Sequence, residues 1–194
     1  MIQINEILYS QVKTIIEQWN EEGIYAISFF VESNEANEYA GFQNVTDFMI
    51  SYNTESDCSG AGRFSEERWN YAFWRQDEIP IIDTYNGNFA TEQLFAWYRE
   101  QEISDLGREE ENCDDQDMHD IGKGPAGHYQ LLSIAADIAC RLQTEKLIEQ
   151  KFGKPIPIIV HGLEYAWYDE EATRKANPHG EADDFLTALR NGFE

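Results

Sequence analysis

One stretch narrows the possible folds more than any other: Ile24-Tyr25-Ala26-Ile27-Ser28-Phe29-Phe30-Val31. It carries apolar β-branched and aromatic residues at odd and even positions alike, so a strand built from it has apolar side chains on both faces. Such a strand belongs in the middle of a sheet, with a covering layer on each side. It is the longest apolar stretch in the chain, and it is far short of the ~20 residues that a membrane-spanning helix needs.

The segments around it supply the sheet and its cover. Before it, Leu8, Val12, Ile15 and Trp19 fall at steps of four, three and four, which predicts an amphipathic helix over 4–20 ended by Gly23. Val45 to Asn53 reads as a second strand, and Ser56 to Gly62 as a turn-rich loop. Trp69 to Trp74 reads either as a third strand or as the end of a short helix begun near Ser65. Asn88 to Glu102 predicts a helix with Leu94, Trp97 and Tyr98 toward the core. Gly127 to Phe152 predicts the longest helix, with Leu131, Ala135, Ile138 and Leu142 on one face and Gly153 and Pro155 stopping it. Ile156 to His161 reads as a last strand, at an edge or starting at Pro157. Two short helices, Asp169 to Ala176 and Glu181 to Asn191, close the chain on either side of Asn177-Pro178.

This order is a helix, a group of strands, several helices and one late strand. It lacks the regular strand–helix alternation of a doubly wound fold. The expectation is a single α+β domain over 1–194, with a mainly antiparallel sheet of about four to five strands flanked by helices. Hydrophobic residues at 42% and aromatics at 13% are ample for a core.

Charge sets the first limit on function. Lys and Arg number 14 against 37 Asp and Glu, a net charge of −23. That balance opposes nucleic acid and anionic membrane as partners and favours a basic one. The N-terminus, Met1-Ile2-Gln3-Ile4-Asn5-Glu6, has neither the basic nor the apolar region of a secretory signal. Cys58, Cys113 and Cys140 are widely spaced and form neither a disulfide framework nor a zinc motif. A cytoplasmic location is expected.

No motif marks a catalytic, cofactor or metal site. The run 109–120 holds seven acids, Glu109, Glu110, Glu111, Asp114, Asp115, Asp117 and Asp120, together with His119. Read as a calcium loop from Asp115, it puts Asp120 where the required glycine should stand. It reads first as a solvated acidic loop and second as a docking surface for a basic partner. Gly122-Lys123-Gly124 lacks the Ser or Thr that a phosphate-binding loop carries after its lysine, and reads as a hinge. Cys58, His128 and His161 are the residues an enzyme of unrecognised type would use, in a cleft with carboxylates. Glu164 with Asp169 is a candidate acid/base pair. Cys140 falls near an apolar helix face, where an inert buried thiol is the ordinary state. The aromatic groups Trp69/Tyr71/Phe73/Trp74, Phe95/Trp97/Tyr98 and Tyr165/Trp167/Tyr168 belong to the core unless one serves as an interface anchor.

Several landmarks stand in a recognisable order. They are Tyr25 to Val31, Tyr52-Asn53-Thr54-Glu55, Phe64 to Tyr71 with Trp69, His161-Gly162-Leu163-Glu164-Tyr165, and Ala172 to Pro178 ending in Asn177-Pro178. In this the chain, from about residue 10 onward, resembles the bacterial family called domain of unknown function 4303. It departs from the family pattern at Gly162, where an acid after His161 is expected. The resemblance implies a small bacterial cytoplasmic α+β protein and carries over no catalytic residue. Some such families are similar to immunity proteins that neutralise toxins of sibling cells. Together these readings lead with a protein that binds and inhibits a basic protein such as a toxin domain. An enzyme and a structural or regulatory oligomer subunit are the alternatives.

Overall fold

A computed structural model describes residues 2–103 and 127–194. Helix α1 (Ile4–Gln18) precedes the hairpin of β1 (Ile24–Tyr39) and β2 (Phe42–Thr54). Then come α2 (Glu66–Trp69), a 3₁₀ turn (Tyr71–Phe73) and β3 (Ile79–Ile82). Helices α3 (Phe89–Glu100), α4 (Gly127–Thr144) and α5 (Leu147–Phe152) follow, then β4 (Ile158–His161), α6 (Trp167–Ala176) and α7 (Asp183–Asn191). This is an α+β fold, with helices flanking a sheet of order β3-β2-β1-β4. The β1/β2 and β2/β3 pairs are antiparallel, and β4 runs parallel to β1.

The apolar run at 24–31 behaves as its composition requires. Strand β1 lies between β2 and β4 and is buried from Ile24 through Val31. Ile27, Phe29 and Val31 face a layer made by α1, α3, α4 and α6. Ala26 and Phe30 face a second, aromatic layer made by Cys58, Trp69, Tyr71, Trp74 and α7, which brings Phe185 and Leu186. The hairpin turns at Ala40-Gly41, both at positive φ, the two-residue geometry that matches strand twist.

The structure revises three details of the sequence expectation and decides one that it left open. Helix α1 ends at Gln18, and its core face uses Ile16 while Ile15 is half-buried. The segment 69–74 is helical, as the second of its two readings had it. The helix expected over 127–152 breaks in two, because Lys146 takes the left-handed conformation at φ 58° and starts α5. Strand β3 was not anticipated. It is four residues long, contains Pro80, and buries only Ile81 and Ile82. No helix among the described residues is long and apolar enough to cross a membrane.

Candidate functional site

The seven acids of 109–120 and His119 lie outside the described residues. The remaining sequence candidates fall in separate places. His161, at the end of β4, holds its Nδ1 2.8 Å from the Gly162 carbonyl and its Nε2 2.8 Å from Ser28 Oγ on β1. A carbonyl only accepts, so Nδ1 carries the proton and Nε2 accepts from the serine hydroxyl. That is the order of a nucleophile and its base. Both residues, however, have no exposed surface, and rings of Phe30, Tyr71, Trp74 and Tyr165 enclose the imidazole. Burial pushes the His161 pKa down to about 4, the Gly162 bond opposing it only in part. A sealed imidazole this weak is a satisfied core group rather than a working base.

Cys58 is buried, with its thiol 3.7 Å from the Thr54 carbonyl and 3.6 Å from Arg68 Nη1. Arg68 is itself committed, bidentate to Glu55 at 2.8 Å and stacked over the Tyr25 ring. His128 Nδ1 lies 2.8 Å from Ser33 Oγ. No hydrogen bond joins Cys58, His128 and His161 to one another among the described residues. Asp169 is buried and accepts from the Ala166 amide at the start of α6, while Glu164 is exposed. Cys140 is half-exposed rather than buried. Of the three aromatic groups, only Phe73 among their members is prominently exposed. Tyr85 and Phe89, which sequence reasoning passed over, are more exposed still, at 85% and 67%. Among the described residues no three His, Cys, Asp or Glu side chains are grouped to hold a metal ion.

A well-formed concavity lies elsewhere. A cleft of about 670 Å³ opens between the α4–α5 junction, the turn before α7 and Arg63. Its construction begins at Asn177. The Asn177 amide donates to the Ile158 and Thr173 carbonyls, both at 2.7 Å, and its Oδ1 accepts from the Ile158 amide at 3.0 Å. This ties the end of α6 to β4. The same Oδ1 and the Ile156 carbonyl take the two protons of Gln143 Nε2, at 3.3 and 2.8 Å. Two acceptors fix which way the Gln143 amide points. Its Oε1 has no protein donor among the described residues and stays open to solvent, the side chain lining the cleft. The walls carry Glu149, Glu181, Asp183 and Asp184 against Arg63, Lys146 and His179. Arg63 is taken up bidentately by Asp184, and Lys146 lies 3.8 Å from Glu149. Glu181 accepts from the His179 amide.

The same pattern of committed bases recurs over the surface. The described residues include 12 Lys and Arg against 29 Asp and Glu. Nine of those bases, Lys13, Arg63, Arg68, Arg75, Arg141, Lys146, Arg174, Lys175 and Arg190, sit in internal ion pairs. Arg75 bridges Glu21 and Asp57. Hydrogen bonds from Arg75, Arg68 and Arg141 hold Glu21, Glu55 and Glu145, respectively, below the usual carboxylate range. No protein-family model matches the chain, and no curated protein and no solved structure matches it either.

Proposed function

We propose that the protein is an acidic binding protein whose partner is a basic protein, with inhibition of a toxin domain, such as a nuclease, as the setting that fits best. One observation carries this reading: most of the described bases are neutralised within the molecule, so the uncompensated charge it presents is negative. A field of that sign steers a basic partner and repels phosphate-bearing ones. Tyr85 and Phe89 supply exposed aromatic rings of the kind that anchor interfaces. The likeness to the domain of unknown function 4303 family, with its cytoplasmic and immunity-type associations, belongs to the same proposal. So does a docking role for the acids of 109–120.

The test begins with capture of the tagged protein's partner from its host at low salt, followed by stopped-flow association of the purified pair across ionic strength. The association rate should fall by at least tenfold between about 0.01 and 0.15 M salt, as the Debye length shrinks from ~30 to ~8 Å. A rate that does not change with salt refutes the electrostatic part of the reading.

A further inference from the structure

A second pocket, of about 350 Å³, lies where two chain reversals meet. Helix α1 runs out at Gln18, Trp19 is extended, and Gly23 at φ +76° turns the chain into β1. Opposite, α5 stops at Phe152 with Gly153 in the left-handed conformation, and Lys151 and Lys154 stand on the wall. Trp19 lines this pocket, the residue is only 6% exposed, and its Nε1–H has no hydrogen-bond partner among the described residues. The Tyr52 ring, edge-on at 4.7 Å, is a weak acceptor at most. The indole nitrogen only donates, so what it lacks is an acceptor. The charge of that acceptor follows from where the spare cations stand. Of the 12 described Lys and Arg, only Arg99, Lys151 and Lys154 are outside ion pairs among the described residues, and two of these three line this pocket. Lys151 Nζ donates to the Glu17 carbonyl at 2.6 Å and reaches Asn20 Oδ1 at 3.5 Å, which leaves it a third proton. Of the two carboxylates on the wall, Glu21 is held by Arg75 and the Tyr52 hydroxyl, and Glu22 has no ion pair among the described residues. Two cations against one uncommitted carboxylate leave positive charge in excess here, against the sign of the whole protein.

We propose that this pocket binds a small monocarboxylate anion, one oxygen accepting from the Trp19 indole N–H and the other facing the ammonium groups of Lys151 and Lys154. The indole nitrogen is nearly covered, which puts its contact at the innermost point of the site. A carboxylate brings two acceptor oxygens and one negative charge, the number of each that the indole and the two lysines call for beside Glu22. A phosphate dianion would bring a second charge to repel Glu22, and a neutral amide would leave the lysines without a counter-charge. The inference goes beyond the acidic-binding reading and does not rest on it.

The experiment uses the full chain with N-acetylglycinate as the probe and N-acetylglycinamide, which keeps the shape and loses the charge, as its control. Titrations are followed by ¹H–¹⁵N NMR at about 0.15 M salt, where a Debye length of ~8 Å screens the distant carboxylates. N-acetylglycinate should move the Trp19 indole N–H signal to saturation, together with the backbone signals of 20–24 and 151–154, and the amide should leave them in place. Lys154→Met should weaken binding about threefold, and Glu22→Gln should tighten it by about the same factor, the scale of one exposed charge. Both residues are exposed, so neither change touches the core. An indole signal that stays in place with N-acetylglycinate overturns the site. So does an equal response to the amide or to inorganic phosphate, or unchanged affinity in the Lys154→Met chain. The acidic-binding reading is tested separately, by the salt dependence of the partner's association rate.

Discussion

The imidazole of His161 makes the protein's acid stability calculable. In the folded chain it is neutral, because burial holds its pKa to about 4, whereas in an unfolded chain an imidazole titrates near 6.5. The lowered folded pKa means that protons bind the unfolded state first. The associated stability is complete above about pH 6.5 and drains away as pH falls toward 4, at up to ~1.4 kcal/mol per pH unit. Between pH 7 and 4.5 the loss from this one residue is about 2 kcal/mol, a large share of the ~5–15 kcal/mol that a domain typically has. Urea unfolding followed by tryptophan fluorescence at a series of pH values measures it. His161→Gln keeps an acceptor for Ser28 and a donor for Gly162 but does not titrate. Contributions of the carboxylates and of the other histidines are common to both chains and cancel in the difference. The wild-type curve should therefore fall about 2 kcal/mol further than the variant's over that range. Parallel curves would refute the reasoning, and so would a His161 ring whose NMR signals titrate near 6.5 in the folded wild type.

Two further substitutions probe the frame around the cleft and the sheet. Asn177→Ala removes four buried hydrogen bonds to Ile158, Thr173 and Gln143. It should cost about 3 kcal/mol or more by thermal unfolding, since the Ile158 amide and two carbonyls are left without partners. Gly87→Ala places a methyl 3.1 Å from the Tyr39 hydroxyl on a backbone at φ +73°, and should cost ~1–2 kcal/mol, read as a drop of several degrees in Tm.

What the sequence made legible was local and periodic. Strand β1 announced itself through eight residues with no polar face, and α3 through Asn88, whose Oδ1 accepts from the Thr91 amide as a helix cap should. The break at Lys146 had no such marker. Lysine has no preference for the left-handed region, and the apolar spacing around it continues undisturbed. Strand β3 was hidden by Pro80 and by its brevity, since two of its four residues are exposed and the periodic signal is lost. The site was less legible still. Gln143 is unremarkable in a helix until Asn177, 34 positions later, fixes its amide. Ser28 and His161 meet only because β4 returns to β1 across 133 residues. His161 therefore read from sequence as a candidate for chemistry, and the fold turned it into a sealed core group.

The charge balance ties stability to recognition. Nine cations spent on internal pairs leave the fold with a large excess of carboxylates that repel one another. Exposed pairs contribute little, ~0–1 kcal/mol each, so they do not explain what holds the sheet together. That falls to the two apolar layers on either face of β1, which bury Phe29, Phe48 and Leu94 on one side and Trp69 and Phe185 on the other. The pairs instead determine which charges remain available outside. Arginines held by two bonds, as Arg63, Arg68 and Arg75 are, have lost their freedom to turn outward. On the proposed reading, a basic partner would meet far more carboxylates than unpaired cations, and by covering them would relieve part of the repulsion among them. Binding of that kind stabilises the folded state by mass action in addition to the contacts it makes.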